Sequence, residues 1–73
     1  MKTEIFITGV KEALEIDAQK ITLDTPLHIT SIGALSLMMY LDENFNKHIK
    51  ASELQGIETV HDIMILIGIE QFE

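Results

Sequence analysis

The fold is decided by residues 30–45, which read TSIGALSLMMYLDENF. Apolar residues recur in this stretch at intervals of three and four, which is the period of an α-helix. We predict a helix that begins at Thr30 or Ser31, since either hydroxyl can cap free amides of the first turn, and that ends near Asn46. One side forms a stripe suited to a hydrophobic core, made of Ala34, Leu37, Met38, Leu41 and Phe45.

The opposite side of this helix is also apolar, but acidic residues border it. The side chains there are Ile32, Leu35 and Met39, with Ser36, Asp42 and Glu43 between them. An exposed apolar trio edged with carboxylates is typical of a surface that docks other proteins. The alternative is that the preceding loop covers part of this side and leaves scattered surface residues. The composition favours docking.

A second helix and a long loop are predicted before this stretch. The helix is expected over residues 3–16, with Thr3 as its N-cap, because Phe6, Val10 and Leu14 follow the helical period. Residues 17–30 lose that period, and Pro26 makes a continuous helix improbable there. The apolar residues of this loop are spaced to attach it to a core: Ile21, Leu23, Leu27 and Ile29.

Two capping signals follow the central helix. Residues 52–55, which begin with Ser52, have capping-box spacing before Gly56 and predict a single helical turn that the glycine ends. Residues 59–62, which begin with Thr59, have the same spacing. They open a last helix that ends near Ile69 and is apolar on nearly all sides, so we expect it to be the most buried element.

The composition restricts the possible functions. The chain has 73 residues and a formal net charge of −7, with five Lys, no Arg and twelve Asp plus Glu. This length predicts one domain over residues 1–73 and excludes a deep active-site cleft. The absence of Cys excludes disulfides and thiolate metal sites. Because the charge is negative and no Arg is present, nucleic acid and anionic membranes are disfavoured, whereas a basic protein surface is favoured.

Targeting and catalytic signals are absent from the sequence. No apolar run has the length of a signal peptide or a membrane span, which predicts a cytoplasmic protein without membrane insertion. Asp24, His28 and Ser31 come from one short loop, and such neighbours rarely converge into a hydrolytic triad. His48 and His61 have no acidic residue at metal-ligand spacing. We therefore predict no catalytic residue and no metal site.

Ser31 lies at the predicted start of the central helix. Free amides and the positive end of the helix dipole make this a natural place for a phosphate. A serine in this place usually serves only as a cap, so the position alone favours capping and is a weak signal for a phosphate.

The spacing of several residues around Ser31 resembles the acyl carrier protein family. The matching residues are Ser31-Ile32, Leu35, Leu41, Phe45 and Ile49, then Thr59-Val60 and Asp62-Ile63, with Leu27 four residues before the serine. The resemblance covers residues 3–69. It implies an all-α bundle of three main helices plus one short helix, with a long loop between helices 1 and 2.

The resemblance also implies a function. Ser31 would carry 4′-phosphopantetheine, which makes the chain a phosphoprotein, and the arm would hold acyl groups as thioesters in lipid or polyketide biosynthesis. The protein would be a stand-alone monomeric carrier and not an enzyme. Its partners would be a phosphopantetheinyl transferase and acyl-transfer or synthase enzymes with basic surfaces. They would dock on Ile32, Leu35, Met39, Asp42 and Glu43.

The chain departs from the family pattern just before the serine. Family members usually have Gly-x-Asp there, whereas this chain has His28, Ile29 and Thr30. Thr30 keeps a capping oxygen but lacks the carboxylate. Ser36 also precedes a leucine, but it lies in mid-helix, so its position does not fit an attachment site. Two alternatives stay open: an unmodified interaction module, and an aminoacyl or peptidyl carrier that uses the same Ser31.

Overall fold

Four α-helices and a terminal 3₁₀ helix form the regular structure of the computed structural model, which describes residues 1–17 and 20–73. The helices are α1 (Thr3–Ala13), α2 (Ser31–Phe45), α3 (Ala51–Leu54) and α4 (Val60–Ile67), and the 3₁₀ helix spans Ile69–Gln71. No strand occurs in these two described ranges. The predicted all-α bundle of three main helices and one short helix is confirmed, as is the long connection between α1 and α2.

The core lies where the three main helices meet. Its buried residues are Phe6, Val10, Ile21, Leu37, Leu41, Ile49, Leu54, Val60, Ile63, Met64 and Ile67. The stripe predicted on α2 therefore faces the core, with Leu37 and Leu41 completely buried. Phe45, at the end of the stripe, is only partly buried and contacts Phe6 and Phe72 at ring-centroid distances of 5.7 and 5.5 Å.

The helix α1 begins at Thr3 as predicted, but its predicted N-cap and its predicted C-terminal end are wrong. Lys2 is the N-cap, and the Thr3 hydroxyl instead donates to the Glu73 carbonyl oxygen at 2.9 Å. The helix ends at Ala13 because Glu15 adopts a left-handed conformation with φ of 53°. The Glu15 and Ile16 amides then donate to the carbonyl oxygens of Glu12 and Lys11, which is the hydrogen-bond pattern of a Schellman motif.

The long connection runs without helix or strand through residues 20–30, as predicted, while positions 18 and 19 of the predicted loop lie outside the described residues. Ile21 is buried, and Leu23, Leu27 and Ile29 pack against the core. The connection is also tied to the start of α4. The Leu27 amide donates to the Glu58 carbonyl oxygen at 2.7 Å, and the His61 amide donates to the Leu23 carbonyl oxygen at 3.2 Å.

The two predicted capping boxes have different outcomes. The one at Ser52 is wrong, because Lys50 is the N-cap of α3 and makes no side-chain cap hydrogen bond. The single helical turn itself is present over Ala51–Leu54, with Gln55 as its C-cap directly before Gly56. The one at Thr59 is confirmed, since Thr59 Oγ1 accepts from the Asp62 amide at 3.2 Å and the Asp62 carboxylate accepts from the Thr59 amide at 3.2 Å.

The last helix is shorter than predicted. It ends at Ile67, two residues before the predicted end, because Gly68 adopts φ of 110° as its C-cap. Four of its eight residues are buried, but Ile65 points outward and is 59% exposed.

Candidate functional site

Ser31 is the first residue of α2, and its side chain is exposed. The preceding residue, Thr30, is the N-cap of this helix, because its hydroxyl oxygen accepts a hydrogen bond from the Gly33 amide at 3.0 Å. The capping role that the sequence left open between the two residues therefore belongs to Thr30. Within the described residues the Ser31 hydroxyl has no hydrogen-bond partner, so it is available to form a covalent bond.

The local field at Ser31 suits an anion. An α-helix begins with amides that have no carbonyl partner in the helix, and its dipole is positive at this end. Thr30 satisfies the Gly33 amide, and the first turn of α2 contains no acidic residue. A phosphodiester on Ser31 would therefore meet free amides without a neighbouring carboxylate in that turn. The residues present fit a 4′-phosphopantetheine group.

A half-open cleft begins at Ser31 and has a volume of about 580 Å³. It runs between α2, α3 and the end of the long connection. Its apolar lining consists of Leu27, Ile29, Ala34, Leu35, Met38, Ala51, Leu54 and Ile57, and its polar lining consists of His28, Thr30, Ser31 and Gln55. An apolar chain tethered to Ser31 has a matching surface directly beside its attachment point.

The apolar trio on the outer side of α2 is uncovered. Ile32, Leu35 and Met39 are 74%, 59% and 57% exposed, so the preceding loop does not shield them. Asp42 and Glu43 are exposed beside them. Asp42 Oδ1 lies 3.4 Å from Nδ1 of His48, which makes an ion pair when that histidine is protonated. We name these five residues, Ile32, Leu35, Met39, Asp42 and Glu43, the α2 face.

The three residues that the sequence analysis considered as a hydrolytic triad do not all line the same cleft. His28 and Ser31 line the same cleft, but Asp24 does not line it. Ser36 is partly buried in the middle of α2, away from the helix start. No cluster of three metal-binding side chains occurs in the described part of the chain. In the same part, no helix has both the length and the apolar character needed to cross a bilayer.

The wall of the cleft that α3 contributes was not predicted. Ala51, Leu54 and Gln55 line the cleft opposite α2, although nothing in their spacing relates them to Ser31. The only sequence signal was the short helical turn itself. The contact of α3 with α2 depends on the packing of Leu54 into the core.

Comparison with curated proteins finds relatives named acyl carrier protein. The chain is 41% identical over 71 residues to the acyl carrier protein of Phytoplasma australiense. The matched region covers 92% of this chain and 93% of that protein. It is 40% identical over 58 residues to the acyl carrier protein of Onion yellows phytoplasma strain OY-M, and this match covers 74% of this chain and 76% of that protein. No family model matches this chain, and no solved structure matches it.

Proposed function

Because this chain belongs to the acyl carrier protein family, we propose that it carries acyl groups as thioesters on a 4′-phosphopantetheine arm attached to Ser31. Proteins of this family are carriers rather than enzymes, and they generally hold this cofactor. One observation carries the choice of Ser31: its exposed hydroxyl lies at the start of α2 and at the mouth of an apolar cleft.

The arm supplies the thiol that forms the thioester, and the chain's own residues provide its setting. The Ser31 oxygen would hold the arm through a phosphodiester bond, made when the serine hydroxyl loses its proton and displaces the leaving group of the transferase's phosphopantetheine donor. The free amides of the first turn would stabilise the negative charge of the phosphodiester by about 0.3–1 kcal/mol, as is usual for anions at a helix N-terminus. Thr30 holds the start of the helix through its bond to Gly33. Since Thr30 is uncharged, the cap itself does not repel the phosphodiester.

The cleft beside Ser31 gives the acyl chain an alternative to water. Each CH₂ group of the acyl chain that is removed from water stabilises the bound position by about 0.8 kcal/mol, so burial of a few methylenes already favours the cleft. Met38 lines this cleft, and its unbranched side chain can change rotamer to adapt to different chains. Met64 lies in the core and not in the cleft lining, so Met38 is the methionine that we expect to respond to the acyl group.

Partner enzymes dock in turn on the α2 face as the protein moves between them as a cytoplasmic monomer. Ile32, Leu35 and Met39 provide apolar contact, while Asp42 and Glu43 attract basic surfaces. The expected partners are a phosphopantetheinyl transferase and enzymes that load or extend the acyl group. Binding should weaken as salt rises, because exposed charges are screened.

The attachment is tested by intact mass after co-expression with a phosphopantetheinyl transferase. We expect a gain of one phosphopantetheine that disappears in Ser31→Ala and persists in Ser36→Ala, the matched serine control on the same helix. Several transferases that all leave the mass unchanged would indicate an unmodified interaction module. The mass of the thioester formed in a cell extract separates a fatty acyl carrier from an aminoacyl or peptidyl carrier.

The docking proposal has its own test. Replacing Asp42 and Glu43 together by Lys should raise the transferase KM for the carrier and leave the helical circular dichroism unchanged. The control is Asp24→Lys with Glu70→Lys, which makes the same change in net charge at exposed positions outside the α2 face. Equal KM values for the two double variants would remove the α2 face from the docking surface.

A further inference from the structure

A second groove lies between α1 and α2, next to the α2 face. It has a volume of about 330 Å³ and is lined by Gly9, Glu12 and Ala13 of α1 and by Ser36, Met39, Tyr40 and Glu43 of α2. Met39 and Glu43 belong both to this α1–α2 groove and to the α2 face. The groove therefore continues the proposed docking surface toward α1, where the sequence predicted no contact with a partner.

The Tyr40 ring forms a fixed part of this groove. A Cβ atom at Gly9 would overlap the Tyr40 ring and hydroxyl, so the ring lies directly against the backbone of α1. The Tyr40 hydroxyl donates to the Met1 sulfur at 3.8 Å, and the ring centroid lies 6.0 Å from that of Phe6. These contacts hold the aromatic ring in place while part of it remains accessible.

The α1–α2 groove is negatively charged on both of its walls. Glu12 on α1 and Glu43 on α2 are both exposed. Within the described residues neither carboxylate has an ion-pair partner, and no lysine or histidine lines the groove. Asp42, on the other side of the α2 face, does have a nearby partner for an ion pair, because His48 lies against it. Burial and then the Glu12 charge raise the pKa of the Tyr40 hydroxyl.

We propose that the α1–α2 groove receives an arginine side chain of the partner enzyme, so that Glu12 of α1 is part of the docking surface. This inference rests on the proposed function, because it extends the surface on which partners dock. A guanidinium group can donate to carboxylates on both walls and can stack on an aromatic ring. The Tyr40 ring lines the same groove as Glu12 and Glu43, and the short side chains of Ala13 and Ser36 leave room for the arginine stem.

The groove is tested with N-acetyl-arginine amide and its uncharged counterpart, N-acetyl-citrulline amide, in NMR titrations of the whole protein. The arginine probe should shift the amide signals of Gly9, Ala13 and Tyr40, and the citrulline probe should leave them in place. Glu12→Gln and Glu43→Gln should each weaken binding of the arginine probe about two- to fivefold, the effect of losing one exposed charge contact. Glu58→Gln, an exposed control outside the groove, should not.

The proposal is overturned if both probes cause the same shifts, if the shifts spread evenly over all acidic residues, or if Glu12→Gln behaves like Glu58→Gln. The titration does not need a modified serine. A chain that no transferase modifies would therefore refute the carrier proposal, while the arginine titration still decides the groove. Where Ser31 is modified, Glu12→Gln should raise the transferase KM about two- to fivefold at unchanged kcat. An unchanged KM would overturn the role of α1.

Discussion

The N-cap of α2 allows the sharpest quantitative prediction, because it lies beside the proposed attachment serine. Thr30→Ala removes the oxygen that accepts from the Gly33 amide at 3.0 Å. Loss of an N-cap hydroxyl costs about 1 kcal/mol, with a range of about 0.5–2. In a domain of this size that loss lowers the melting temperature by about 4–8 °C per kcal/mol.

Replacement of Thr30 by aspartate should instead stabilise the helix. Thr30→Asp keeps an acceptor for the Gly33 amide and adds a negative charge at the N-cap, next to a first turn that has no acidic residue. A charge in this position contributes about 0.3–1 kcal/mol through the helix dipole. The melting temperature of Thr30→Asp should therefore be a few degrees above that of the unchanged protein, and raising the salt concentration should reduce the gain.

Thermal unfolding of the unmodified protein, followed by far-ultraviolet circular dichroism, measures these effects. The control is Thr8→Ala, which removes an exposed hydroxyl that only donates back to the Glu4 carbonyl oxygen within α1. We expect this control to melt close to the unchanged protein. If Thr30→Ala melts where Thr8→Ala does, the Thr30 oxygen does not stabilise α2. If Thr30→Asp melts lower than the unchanged protein, the argument from the helix dipole is wrong.

Three further predictions concern the core, a helix end and a titration. Phe6→Ala, at a completely buried ring, should cost about 3–5 kcal/mol in urea unfolding, whereas Phe45→Ala, at a partly exposed ring, should cost clearly less; equal costs would contradict the burial. Glu15→Gly should add about 0.5–1 kcal/mol by relieving the left-handed conformation, and Glu15→Ala should add nothing. Burial and then Glu12 raise the pKa of Tyr40 above 10.0, so tyrosinate absorbance should appear at higher pH in the folded protein than in urea. Stability should then fall as the pH rises from 10.0 toward the folded pKa, and Glu12→Gln should lower the folded midpoint.

The tyrosine titration is readily interpreted because the sequence contains one Tyr and no Trp. A midpoint that is the same in the folded and unfolded protein would show that neither burial nor Glu12 acts on the ring. It would also remove one support for the arginine proposal, while the probe titration would still test that proposal directly.

Local signals in the sequence predicted the start of α2 and the capping box of α4. Both depend on hydroxyl and amide groups only three residues apart, such as Thr59 and Asp62. The same kind of signal failed at Thr3, because its hydroxyl found the Glu73 carbonyl oxygen 70 positions away along the chain. It failed at Ser52 because α3 begins at Ala51, one residue before that serine. A capping pattern states which bonds are possible, and contacts with distant residues can replace them.

The candidate site also has some features that local sequence predicted and others that only the tertiary structure revealed. The serine at the start of α2 and the apolar trio with its acidic border follow from helical periodicity and from the order of residues along the chain. The cleft required Leu54 of α3 to approach α2, and the α1–α2 groove required Tyr40 to lie on Gly9. By itself the sequence determined the helices, the excess negative charge and the position of Ser31, because these depend on near neighbours or on composition. Only the tertiary structure decided which apolar surfaces meet and which stay open, because that depends on how segments far apart in the chain fill one core.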